Sequence, residues 1–227
     1  MGEEASDQAG HRQRLRERFL KGGDGAVADY ELLELILYQA IPRRDTKPIA
    51  KALLRKFKTF SGVVSADPVA LRAVDGVGDA AVVALKAIGA AARHLLHDRV
   101  IDRPVIGSWD RLLEYLKAAL AHEAREQFRV LFLDAKNALL ADEDAWHGTV
   151  NQSPVYPREI VKRALELHAT AIIMVHNHPS GDPTPSQADI AMTKAVQDAT
   201  AKLGIALHDH VVIGRAGHAS FRSMGLL

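Results

Sequence analysis

Within "IIMVHNHPSGDPTPSQADI", residues 172–190, two imidazoles stand two positions apart directly after an apolar run, and a carboxylate follows at Asp189. On a strand, residues i and i+2 point to the same face, so His176 and His178 can aim both rings at one point. The intervening "PSGDPTP" neither continues a strand nor readily starts a helix, and its turn-forming residues return the chain toward the same strand end. Ser186 can then cap a helix whose first turn carries Asp189, placing a carboxylate where it can swing back toward the imidazoles. Two nitrogens and one oxygen leave a fourth tetrahedral position for water, the arrangement of a catalytic zinc site. A plainer account has both histidines bonding loop carbonyls and Asp189 serving as an ordinary acid at a helix start. Same-face register, a constrained turn and a converging acid together favour the metal.

The elements that must position these residues are legible as periodicities. "ATAIIMV" reads as a buried strand leading into His176. Ser186 to Leu203 reads as a helix stopped by Gly204, "YPREIVKRALELH" as an amphipathic helix opened by Pro157, and "WDRLLEYLKAALAH" as a helix that Ser108 can cap. "FRVLFLDAKNALLADEDAW" reads as two strands joined at "AKN", and "IALHDHVVIG" and "HASFRS" as closing strands. Together they make an α/β domain with a mixed sheet over 108–227. Ahead of it the pattern is all-helical: Asp29 to Ala40, "DTKPIAKALLRKF", "ADPVALRAV" and Ala80 to Leu96. The expected domains are a flexible basic segment 1–22, a helical domain 23–98, a linker 99–107 and the α/β domain 108–227.

Composition narrows the chemistry. The 227 residues are 48% hydrophobic and 25% charged, ordinary for a chain that buries a core. Cysteine is absent, which removes disulfides, thiolate zinc sites, iron–sulfur clusters and thiol nucleophiles, so any metal must be held by histidine and carboxylates. The first thirty residues hold no apolar stretch of signal-peptide type and nothing later approaches a membrane span, so no membrane contact and a cytoplasmic location are expected. A net charge of +1 does not by itself announce a nucleic-acid partner. Residues 1–103 carry 17 Lys/Arg against 14 Asp/Glu, and much of that excess lies in "HRQRLRERFLKGG", either a phosphate-facing arm or a solvated helix.

His176-x-His178, Ser186 and Asp189 in this spacing resemble the motif of the JAMM (MPN+) metalloprotease family, and "HNHPSGDPTPSQAD" resembles its bacterial RadC branch. The likeness extends to "GTVNQSPVYPREIVKRALELHATAIIMVHNHPSGDP" and "HDHVVIG", from about residue 105 to the C-terminus, and is weaker through the helical front. Metallo-β-lactamase and amidohydrolase patterns, which also use His-x-His, fit the flanking residues poorly. The resemblance implies a three-layer, cytidine deaminase-like fold, a zinc ion on His176, His178 and Asp189, and cleavage of a peptide or isopeptide amide in a protein substrate. It also implies an upstream glutamate as general base, for which Glu126 is the candidate and Glu123 the reserve. Ser186 then has two available jobs, capping the helix or stabilising an oxyanion. Asn177 and Ser180 can orient the loop. His208, Asp209 and His210 are expected to support the ligands or the fold instead of binding metal directly.

"LRAVDGVGDAAVVALKAIG" resembles a helix-hairpin-helix, in which Gly76 and Gly78 would let backbone amides approach a DNA phosphate, with Lys86 as a further candidate contact farther along the second helix. Asp75 and Asp79 flank that turn and oppose phosphate, and a Gly-x-Gly turn is equally a way to pack two helices. The RadC branch carries a DNA-repair label. Two other functions therefore stand beside the amide hydrolase: a DNA-binding accessory protein whose metal is structural, and a metal-dependent phosphoesterase acting on DNA.

Overall fold

A computed structural model describes residues 2–100, 105, 107, 109–144 and 156–227, with side chains from Gly10 onward. The chain forms two compact units, Met1–Ala92 and Arg93–Leu227.

The first unit is helical: α1 (Gly2–Gly22), α2 (Asp29–Ala40), α3 (Lys47–Phe57), α4 (Phe60–Ser65), α5 (Pro68–Arg72) and the start of α6 (Asp79–Asp98). Segment 1–22, whose "HRQRLRERFLKGG" is open to reading as an arm or a solvated helix, holds helix α1 over Gly2–Gly22. It lacks an apolar stripe and is tied down by polar groups. The Arg12 guanidinium donates to the carbonyls of Pro42, Ile41 and Arg44 at 2.7, 2.9 and 2.5 Å, Arg18 pairs with Glu31, and His11 meets the buried Glu34 at 3.1 Å. Leu15 is its buried apolar residue. The core of this unit gathers Leu33, Leu37, Leu53, Leu71 and Leu85 from four helices.

Helix α4 falls outside the sequence reading, because "FSGVVS" is too short for a period and contains a glycine. Thr59 starts it by accepting the Gly62 amide at 2.9 Å, and a Cβ on Gly62 would lie 2.3 Å from the Phe57 carbonyl oxygen. Contrary to the expectation that nothing approaches a membrane span, α6 is long and apolar enough for one by length and composition. One face of α6 supplies Ala81, Val82 and Leu85 to the helical core.

The second unit is built on a five-stranded mixed sheet in the order β2-β1-β3-β4-β5, with β1 (Phe128–Leu133), β2 (Leu139–Asp144), β3 (Ala171–Asn177), β4 (Ala206–Gly214) and β5 (Gly217–Ser220). Only β3 and β4 run parallel; every other neighbouring pair is antiparallel. The β1–β2 hairpin turns at Asn137, whose φ of 61° suits the left-handed position of such a turn. Every residue of β3 is buried, which is why the run reads as continuous instead of alternating. Its odd-numbered side chains, Ile173 and Val175, pack with Leu112, Leu116 and Leu120 of α7 (Trp109–Leu120). Its even-numbered ones, Ile172 and Met174, pack with Ile160 of α8 (Pro157–Glu166) and Val196 of α9 (Gln187–Ala201). The result is three layers, helix–sheet–helix, preceded by an all-α unit, in agreement with the expected fold class. Most of the expected linker 99–107, the Ser108 cap and the end of "LLADEDAW" lie outside the described residues.

Candidate metal centre

His176 belongs to the even face of β3 and is fully buried, its ring stacked on Phe128 at 6.0 Å between centroids and 10° between planes. The chain continues in line for one more residue, because the His178 amide donates to the Ile213 carbonyl at 2.9 Å. It then folds back sharply. Gly181 takes a φ of +96°, and a Cβ on Gly214 would lie 2.3 Å from the Gly181 carbonyl oxygen. Arg215 clamps the bend by donating to the carbonyls of Pro179 and Ser180, each at 2.8 Å. At the far end Ser186 caps α9: its Oγ accepts the Asp189 amide at 3.2 Å, while its own amide and hydroxyl both donate to the Asp189 carboxylate at 2.7 Å.

These elements bring three donors together. His176 Nε2 and His178 Nε2 are 3.0 Å apart, and the Asp189 carboxylate lies 3.5 Å from the first and 3.6 Å from the second. Among the described residues this is the group of histidine and acidic side chains whose ligand atoms all fall within 4.8 Å of one another. Burial pushes the Asp189 carboxyl up, but hydrogen bonds, those from the Ser186 hydroxyl and amide among them, outweigh it and hold the acid well below its usual range. The group can therefore accept a cation as two imidazoles and one carboxylate. Its spacings are close to the edge of about 3.3 Å that a tetrahedron has when ligands sit roughly 2.0 Å from the centre.

Around this group lie residues that the sequence places less clearly. His210, fully buried on β4, meets His176 Nδ1 at 2.8 Å and stacks on Phe221 at 4.5 Å. Burial, with His176 alongside, pushes its imidazole well below the ordinary value. Its other nitrogen meets Thr193 at 2.6 Å. Thr193 was missed by sequence reasoning; it lies four residues after Asp189 on α9, and its hydroxyl also donates to the Asp189 carbonyl at 2.6 Å. The neighbours of His210 on β4 bond elsewhere: His208 meets Asn137 at 2.6 Å, and Asp209 holds Ser220 and the Arg222 amide.

Glu126 is exposed and lies outside the three-donor group. It sits on the segment entering β1, whose register pairs Phe128 with His176. The Asn177 amide donates to the Gln127 carbonyl at 3.3 Å, which carries the pairing one residue beyond Phe128 and leaves Glu126 just past it. Asn177 holds the segment there: its side-chain oxygen accepts the Gln127 amide at 2.8 Å and its nitrogen donates to the carbonyls of Glu123 and Arg125 at 3.4 and 3.1 Å. Glu123, the reserve choice, is half-buried and closes α7, its amide donating to Leu120 at 3.1 Å. Ser180, in the clamped bend, has its Oγ 3.4 Å from the Asp182 amide.

The candidate DNA contacts lie in the helical unit. Gly76 has a φ of +83° and its Cα faces Ile49, where a Cβ would come within 2.8 Å of the side chain. Asp79 pairs with Arg72 at 2.6 Å, and Gly78 precedes it in open space. The Lys86 ammonium donates to the carbonyls of Ser65 and Ala66 at 3.2 and 3.1 Å, two helical turns beyond the glycines. These contacts tie Gly76 and Lys86 to helix packing.

Residues 106–226 match the RadC-like JAB domain, and residues 7–83 match the UPF0758 N-terminal region. A Rhodobacter capsulatus protein named UPF0758 protein is 60% identical over 213 residues, which is 94% of this chain and 100% of that relative. The JAB match encloses every donor described above, from the Glu126 segment to His210. The chain thus belongs to the RadC-like JAB domain family.

Proposed function

We propose that this chain is a zinc-dependent hydrolase of JAMM type that cuts a peptide or isopeptide amide in a protein substrate. The observation that carries the reading is the convergence of His176, His178 and Asp189 within 4.8 Å at the end of β3. Two imidazole nitrogens and one carboxylate oxygen suit zinc, and three protein ligands in place of four are the mark of a catalytic site. When bound, zinc supplies Lewis acidity and lowers the pKa of a coordinated water to about 7.

The chain's own residues handle protons and geometry. Glu126, exposed on the segment entering β1, takes a proton from the attacking water and returns it to the departing amine as the C–N bond breaks. Asn177 keeps that segment in place. Ser186 can serve a developing oxyanion only by releasing the hydroxyl hydrogen it now gives to Asp189, so its standing role is to orient that carboxylate. DNA contact is no part of this reading, because Lys86 is engaged within the helical unit.

Metal analysis of the purified protein tests it. About one zinc per chain is expected, lost in His176→Ala and retained in Glu126→Gln. The second variant should hold substrate uncleaved. Protein purified without metal, and unable to take up zinc, overturns the reading.

A further inference from the structure

We propose that Thr193 and His210 are positioning residues: a chain of three hydrogen bonds from the backbone of α9 fixes the proton of His176 on Nδ1, so that Nε2 offers a bare lone pair to the ion. The inference rests on the metal reading above and concerns how this chain prepares one of its own ligands.

The proton count leaves one solution. Thr193 Oγ1 lies 2.6 Å from the Asp189 carbonyl oxygen and 2.6 Å from His210 Nδ1. A hydroxyl has one hydrogen and a carbonyl can only accept, so that hydrogen goes to Asp189. His210 Nδ1 must then be the donor to Oγ1. Buried between Phe128 and Phe221 with no carboxylate bonded to its ring among the described residues, His210 stays neutral and carries one proton, which makes its Nε2 an acceptor. Its partner, His176 Nδ1 at 2.8 Å, must therefore be protonated and donating. The His176 proton is spent on that side, and Nε2 is left bare, 3.0 Å from His178 Nε2.

His178 reaches the same state by a separate route. Its Nδ1 lies 2.9 Å from the Asp182 carbonyl oxygen, an acceptor, so Nδ1 holds the proton and Nε2 is bare as well. Two lone pairs face each other across 3.0 Å beside a carboxylate, an arrangement that repels until a cation sits among them. A proton on His176 Nε2 would occupy that place. Stacking on Phe128 and Phe221 holds the two linked rings in their planes. Helix α9 thus supplies the oxygen ligand at Asp189 and, four residues later, sets the tautomer of a nitrogen ligand on the neighbouring strand.

The test uses full-length, metal-free protein with labelled histidines. Long-range proton–nitrogen spectra at pH 8 should show His176, His178 and His210 each protonated at Nδ1. Zinc affinity, read by chelator competition, should fall about 10- to 100-fold in Thr193→Val, the usual scale for losing a group that orients a ligand. Thr193→Ser, which restores the hydroxyl, should bind as the parent does. A His176 protonated at Nε2 in the parent, or Thr193→Val with parental affinity, overturns the proposal. If the valine variant does not fold, the parent spectrum alone decides. A parent that takes up no zinc sinks the metal reading instead, while its spectrum still reports whether the proton chain exists.

Discussion

At the scale of single residues, Asn177 occupies a position between two kinds of work. It follows one metal donor and precedes another, yet its amide group turns the other way and holds three backbone groups of the Glu123–Gln127 segment. An aspartate there can still accept the Gln127 amide but has nothing to donate to the two carbonyls. Asn177→Asp should therefore keep its zinc and lose turnover by roughly 100-fold, the cost of misplacing a catalytic group by about 1 Å. Zinc content and kcat measured on the same preparation check this, and a variant with full kcat would show that the segment holds itself. The donors His176 and His178 were legible because period two on a strand puts them on one face. Thr193 was not, since a threonine inside a helix ordinarily reports nothing beyond its own backbone. Only the tertiary placement of β4 beside α9 gives its hydroxyl a second partner.

At the scale of elements, the start of α9 is a cap and a ligand holder at once. Ser186→Ala removes the acceptor for the Asp189 amide and one of two donors to its carboxylate. Denaturant unfolding of the metal-free protein should show a loss of about 0.5–2 kcal/mol, the range for an N-cap serine. No loss would mean that the cap is idle. Strands and longer helices were readable from period and punctuation: α2 ends at Ala40 where its apolar spacing stops, and Gly204, at a φ of +72°, ends the α9 turn. The docking of α1 was not readable, because charges hold it in place of an apolar stripe, and charge alone does not distinguish a docked helix from a solvated one.

For the whole molecule, acid is the predicted weakness. Burial lowers the imidazoles of His208 and His210, aided by Arg222 and His176 respectively. An unfolded histidine takes its proton near pH 6.5, whereas these folded ones take it only at lower pH. Below about pH 6.5 the unfolded chain therefore binds more protons, and stability falls as pH drops; above it the contribution is complete. Thermal midpoints of metal-free protein should be level from pH 8 to about 7 and decline toward pH 5. A midpoint that climbs on acidification would contradict this. The mixed sheet followed from the alternation of helical and strand patterns, whereas its three layers were implied by the family resemblance.

The central strand has one more implication. Because β3 is aliphatic on both faces from Ala171 to Val175, sliding it by a single position would still bury oil against oil. Only the ring of His176, seeking His210, and the amide of Asn177, seeking Gln127, tell one alignment from the next. The groups that would do chemistry also act as alignment marks for the sheet. A strand with both replaced by aliphatics would lose its single address and settle as a mixture of offsets, even where calorimetry found it no weaker.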